Sequence, residues 1–327
     1  KLMNNSAAYG GGLWNNYNFY MYGGEICYND ATYGGGLWNA NSGDAQMIIY
    51  GGRIYHNKAT YGAGVWNNDN GNIEMQGGEI SENVAGKCGG GVWNQGAKFD
   101  LEGGYIYENL AQYGGGVWTQ STMHINGGFV VANVASRLTN EGDLGCGGGV
   151  WNNDKALLRM SAGEVSGNTA GQRGGGVYNN DTANFEFEGG LIAGNFADYG
   201  GGIYVQRSED GKGPGTVRMY NDATISGNGS EKDGSAVYIK GVFEKVGGKI
   251  WNNTSVEGGM EIFTDTEGVF NESTSLPTRF IDVPSDAYFL KPVFQILYSL
   301  ISSLIFSVSS FISLSIKHLT CALVASS

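Results

Sequence analysis

GGEISENVAGKCGGGVWN, residues 77–94, contains both halves of a unit that the chain repeats. The first half returns as GGEICYNDA at 23–31, GGRIYHNKA at 51–59, GGYIYENLA at 103–111, GGFVVANVA at 127–135 and AGEVSGNTA at 162–170. GGLIAGNFA at 189–197, DATISGNGS at 222–230 and GGKIWNNTS at 247–255 complete the series. Every copy has Ile or Val at its fourth position and Asn at its seventh: Asn29, Asn57, Asn83, Asn109, Asn133, Asn168, Asn195, Asn228 and Asn253. The second half appears as YGGGLWN at 9–15 and 33–39, YGAGVWN at 61–67, YGGGVWT at 113–119 and CGGGVWN at 146–152. RGGGVYN at 173–179, YGGGIYV at 199–205 and a worn DGSAVYI at 233–239 follow, with triplet starts 24 to 34 residues apart.

A period in the twenties admits leucine-rich repeats, short helical repeats or a parallel β-helix. Helical repeats fail because the repeat is broken again and again by paired glycines. Leucine-rich repeats fail because Leu is rare at fixed positions. What remains is one repeat per coil, each coil made of two or three short strands joined by turns. Alternation along the strands supports it. Met21, Ile49, Met75, Leu101, Ile125, Met160, Phe187 and Tyr220 are expected in one core column, and Ile26, Ile54, Ile80 and Ile106 in another.

Stacked coils place equivalent residues about 4.8 Å apart, so a repeated position becomes a ladder. A column of Asn side chains at a corner can bond to its neighbours above and below, and Asn tolerates the left-handed backbone of a corner. The glycines supply positive φ and close approach. The Asn column is therefore read as structural.

The pairing of GGG[VL]W with [IV]xxNxA resembles the GGA[ILV] and FxxN repeats of chlamydial polymorphic membrane proteins. It is still more similar to the GGGVYN and GGxISGNTA repeats of bacterial surface proteins with a right-handed parallel β-helix. The resemblance covers roughly residues 5–255, with a relic tenth coil at 257–263. It implies an all-β, right-handed, pectin-lyase-like parallel β-helix of about nine coils over residues 1–263. It also implies an elongated adhesin-like scaffold, secreted or at the cell surface, whose partners are glycans or cell-surface proteins. Ile and Val replace the chlamydial aromatic of FxxN, so the ligands of those adhesins are not carried over.

Behind each triplet come an aliphatic residue and an aromatic. If Leu13, Leu37, Val65, Val92, Val117 and Val150 face the core, alternation turns Trp14, Trp38, Trp66, Trp93, Trp118 and Trp151 outward. Six stacked indoles would form a strip some 25 Å long, suited to the apolar faces of sugar rings. Simple stacking between coils explains the same column.

Chemistry is harder to find. Glycoside hydrolysis needs paired carboxylates, and a lyase needs a cation and a base. The carboxylates look scattered: Glu25, Glu79 and Glu164 share their position with Arg53, Tyr105, Phe129, Leu191, Thr224 and Lys249. His56, His124 and His318 fall in unrelated places. NND at 67–69, 152–154 and 179–181 offers oxygen ligands of the kind calcium takes, Asp154 and Asp181 on adjacent coils. It is also plain turn chemistry, and no metal or cofactor is assigned. Cys88 and Cys146 stand where other repeats have Tyr, with one whole repeat between them and so about 10 Å from each other, beyond disulfide reach. A formal net charge of −12 argues against nucleic acid as a partner. The polar insertions 136–145 and 206–216 are expected as surface loops.

After Gly268 no glycine occurs. Residues 264–292 read as a cap or linker. The stretch 293–316 runs 24 residues without a charge, between Lys291 and Lys317. As a helix it would span about 36 Å, enough for a bilayer core, so membrane anchoring through 293–316 is one expectation. A β-rich end cap, or a tail foreign to the repeat, are the others.

Overall fold

The structure is a computed structural model that describes residues 1–40, 46–68, 70–136 and 145–273. The segment 293–316 lies outside the described residues, as does most of the 136–145 insertion. The described chain is all-β, a parallel β-solenoid of about ten turns. One coil shows the plan: Asn72–Met75, a bend at Gly77 and Gly78, Glu79–Ser81, the Asn83 corner, Val84–Cys88, the glycine triplet, then Val92–Asn94. Each strand pairs in parallel with its equivalents in the coils before and after. Ten strands stack in the column of Val84–Cys88 and ten in that of Val92–Asn94. The two remaining stacks merge into one sheet because Asn184–Ala193 and Thr216–Ser226 run unbroken around the bend. Ile262–Thr264 and Val269–Glu272 carry the stack beyond the last readable repeat.

Alternation puts apolar side chains inside. Met75, Leu101, Ile125, Met160 and Phe187 are fully buried, with Ile54, Ile80 and Ile106 opposite them. Tyr220 is a correction. Met219 takes the core position, and Tyr220 turns outward to donate its hydroxyl to Glu186 Oε2 at 2.7 Å. The cause is one extra residue: Phe187 pairs with Met219, but Gly189 pairs with Asp222, so a bulge shifts the parity.

The Asn column is a continuous ladder. The backbone N–H and Nδ2 of Asn83 both donate to Asn109 Oδ1, at 3.1 and 3.0 Å. The second Nδ2 hydrogen goes to the carbonyl of core residue Ile54, at 2.9 Å. Asn57, Asn109, Asn133, Asn168, Asn195 and Asn228 repeat the arrangement. One oxygen with two lone pairs and an NH₂ with two hydrogens are thereby fully used. Only an amide of this length offers that set, because a carboxylate lacks the donors. Asn5 opens the ladder on Asn29. Glu261 closes it, its Oε1 accepting from both N–H groups of Asn253 at 3.1 and 2.7 Å. A carboxylate suits that terminal role, since it has acceptors and nothing left to donate.

The corner backbone differs from expectation. The left-handed residue is the one before each Asn: Tyr28, His56, Glu82, Glu108 and Ala132 have φ of 53–56°. Asn itself is held by its ladder bonds, and the reversal falls on its exposed neighbour. At the opposite corner Gly89 has φ 64°. A Cβ on Gly91 would lie 2.7 Å from Gly116 O and 2.9 Å from Ile106 Cγ2, so the third glycine is there for room.

A second ladder was present in the motif but unassigned. The Asn of VWN bonds coil to coil: Asn15 to Asn39, Asn39 to Asn67, Asn67 to Asn94, at 2.7–2.9 Å. Asn94 then donates to Thr119 Oγ1 at 3.0 Å. Thr119 turns its hydroxyl to Ser121 O, and Asn152 Oδ1 is left buried with no donor.

Two substitutions test these ladders. Asn109→Ala strands the two donors of Asn83 and the Ile80 carbonyl, and should cost about 3–5 kcal/mol in denaturant unfolding. Thr119→Asn supplies the missing donor to Asn152 and should stabilise by about 1–2 kcal/mol. An unchanged midpoint for both would show that neither ladder holds the coils.

Candidate functional site

The proposed tryptophan strip is not an exposed platform. Alternation does turn the indoles away from the core, with Leu37, Val65, Val92, Val117 and Val150 buried inside. Yet Trp66 and Trp118 are only 7% and 8% exposed, Trp38, Trp93 and Trp151 are half-buried, and only Trp14, at 61%, is open. The cover is a second column, that of the residue before each triplet. Tyr9 lies on Trp38, Tyr33 on Trp66, Tyr61 on Trp93 and Tyr113 on Trp151, with ring centroids 4.1–4.8 Å apart. The two columns thus interlock with an offset of one coil. Within the columns Trp38 stacks on Trp66 at 5.3 Å and Trp66 on Trp93 at 4.4 Å.

Cys88 replaces the tyrosine that would cover Trp118, and Trp118 stands edge-on to Trp93, at 88°. Cys88 and Cys146 are not joined by a disulfide, and Tyr113 separates them in the column. Burial pushes the Cys88 thiol up to about 12, so it packs and does not react at neutral pH. Farther along, Tyr178, Tyr204 and Tyr238 continue the column, and burial raises all three phenols. The Arg173 guanidinium lies over Tyr204 at 5.6 Å where a tyrosine would otherwise sit. The Nε1–H groups of Trp38, Trp66 and Trp93 are buried without an acceptor, so these three indoles are held by ring packing, whereas Trp151 donates to Asn153 Oδ1 at 3.1 Å.

Outward charges are arranged along the coils. Arg53 meets Glu79 at 2.9 Å, and Arg218 meets Glu186 at 3.1 Å and Glu244 at 2.6 Å. Lys245 meets Glu272 at 2.7 Å. One outer column of the first strand runs Tyr20, Ile48, Glu74, Asp100, His124, Arg159, Glu186, each beside the next. Here the structure brings together residues that looked scattered. Glu74, Asp100 and His124 each stand three residues before a glycine pair, and that shared spacing was the available signal. Asp100 is only 8% exposed. Lys98 Nζ is 2.5 Å from its Oδ2, and His124 Nδ1 is 3.0 Å from its Oδ1 without the alignment of a hydrogen bond. Beside them a depression of about 210 Å³ spans three coils, lined by Gln46, Ile48, Asn72, Glu74, Lys98 and Asp100.

Asp154 and Asp181 occupy left-handed turn positions on adjacent coils; Asp69 lies outside the described residues. The 206–216 insertion folds back on itself, Arg207 pairing with Pro214, and brings Ser208, Asp210 and Lys212 to this place. Burial, then the charge of Asp154, raises Asp181 above the usual carboxylate range, against the Ser208 hydrogen bond. Lys212 pairs with Asp210 and holds it down at about 2. The cluster therefore carries its own cation, and no group of metal-ligating side chains occurs among the described residues.

Comparison with known protein families, with curated proteins and with solved structures finds no match.

The zipper predicts different outcomes at a covered member and at its open first member. Trp66→Ala should cost about 3–5 kcal/mol. Trp14→Ala should leave the thermal midpoint within about 1 °C of the parent. Equal effects at both positions in thermal unfolding would contradict the burial gradient.

Proposed function

We propose that the protein is a non-catalytic, adhesin-like scaffold of the extracellular surface that binds glycans along its flank. One observation carries this reading. Outward charges pair from coil to coil at several places, Arg53 with Glu79, Arg159 with Glu188 and Arg218 with Glu186 and Glu244, which leaves acids and bases spread along an extended surface. Such a surface suits a polymer lying along the columns, which meets an outward side chain about every 4.8 Å. The repeat's resemblance to bacterial surface proteins with a right-handed parallel β-helix points the same way, and the uncharged stretch 293–316 would serve as its membrane attachment. Within the tryptophan column, Trp14 has the most open face for a sugar ring.

A hydrolytic reading has one observation in its favour: Glu74 and Asp100 sit side by side next to the depression, as a carboxylate pair must. Against it, Lys98 Nζ is bound to Asp100 Oδ2 and His124 Nδ1 lies beside its Oδ1.

Retention of the full chain on immobilised mucin, chitin, cellulose and peptidoglycan decides between these. The scaffold reading expects retention on at least one matrix and no reducing ends released on long incubation. Steady release of reducing ends would replace it with the hydrolytic reading, and no retention on any matrix would end the glycan assignment.

A further inference from the structure

We propose that the depression on the second to fourth coils is a subsite for an uncharged or cationic sugar unit of a linear glycan. The inference rests on the glycan reading above and gives it a place and a ligand class. The floor is rigid, because Gln46–Ile49, Asn72–Met75 and Lys98–Leu101 are hydrogen-bonded neighbours with Met47 and Ile73 fully packed beneath them. The lining offers what a sugar ring needs. Gln46 and Asn72 carry amides, Glu74 and the Lys98-paired Oδ2 of Asp100 carry acceptors for hydroxyl or ammonium donors, and Ile48 supplies an apolar spot for a ring face. Tyr20 adjoins Ile48 along the column and extends that apolar edge with a ring that is 44% exposed. A volume of about 210 Å³ is below the usual range for an enclosed small-molecule site and fits one unit of a longer chain.

Charge sets the class. Two carboxylates face one ammonium in the lining, and that ammonium is already bound to Asp100. The chain as a whole carries −12. A uronate or sulfated sugar would bring a further negative charge to an acidic wall with no free cation, so such units are rejected. Neutral hydroxyls and amino groups are accepted.

The test is calorimetric titration of the full chain with four soluble oligosaccharides: cello-, N-acetylchito-, deacetylated chito- and galacturonate oligomers. The subsite predicts binding of a neutral or amino-sugar oligomer in preference to the galacturonate. It also predicts that Asp100→Asn and Ile48→Arg each weaken that binding about tenfold or more. Near-ultraviolet circular dichroism establishes that each variant is folded, and Ile48→Arg, at a half-exposed position, keeps the test valid if Asp100→Asn unfolds. Oligomer binding that both folded variants retain overturns the subsite and leaves the scaffold reading standing. Preference for galacturonate overturns the ligand class. Absence of binding to all four overturns the subsite, and the glycan reading falls with it only if the immobilised polymers also retain nothing.

Discussion

The corner amide on which each coil closes is the constraint from which the rest follows. Asn83 receives two donors on one oxygen and spends two hydrogens, one on the next Asn and one on a carbonyl of the coil before. That double attachment fixes both the spacing and the register of successive coils, because a slip by one residue would leave four groups buried and unbonded. With register fixed at one corner, the core columns stay aligned although the turns elsewhere vary by up to ten residues in length. The glycine triplet is a consequence. The chain must pass close beneath the amide column, and Gly91 has Asn109 Nδ2 within 3.0 Å of where a Cβ would be.

Much of this could be read from residues alone, because ladders require identity at fixed positions and identity is visible. The nine Asn, the Ile columns and the glycines all declare themselves. Two parts were not legible. The left-handed corner falls on Tyr28, His56, Glu82, Glu108 and Ala132, which share no chemistry, so only the backbone reveals it. The bulge at Tyr220 changes parity through a single extra residue, which a motif count absorbs without notice.

The tryptophan column shows a different limit. Alternation assigns a side to each residue but not the neighbours on that side. Trp66 points away from the core and is still 93% covered, since Tyr33 reaches across from the preceding coil. Two outward aromatic columns set five residues apart in sequence become one interlocked layer once the triplet folds them onto the same corner. The tyrosines before the triplets therefore carry as much meaning as the tryptophans after them. Where Cys88 or Cys146 stands instead, the rings behind tilt edge-on, Trp118 against Trp93 and Tyr178 against Trp151.

Side chains committed to the ladders bond to their own neighbours, so specificity has to lie in positions that the ladders do not constrain. The outer column through Tyr20, Ile48, Glu74, Asp100 and His124 is such a set, for its members change chemistry at every coil while their neighbours in the core do not. Their positions are held by the strands below, and their identities are free of any packing demand. The same reasoning separates the two acidic places on the rod. At Asp181 and Asp210 the loop brings Lys212 and Ser208 to its own carboxylates, which closes the cluster on itself. At Glu74 and Asp100 the coils leave a depression open beside the carboxylates, and an open, rigid, donor-seeking surface is where a ligand gains most from contacts it does not have to organise.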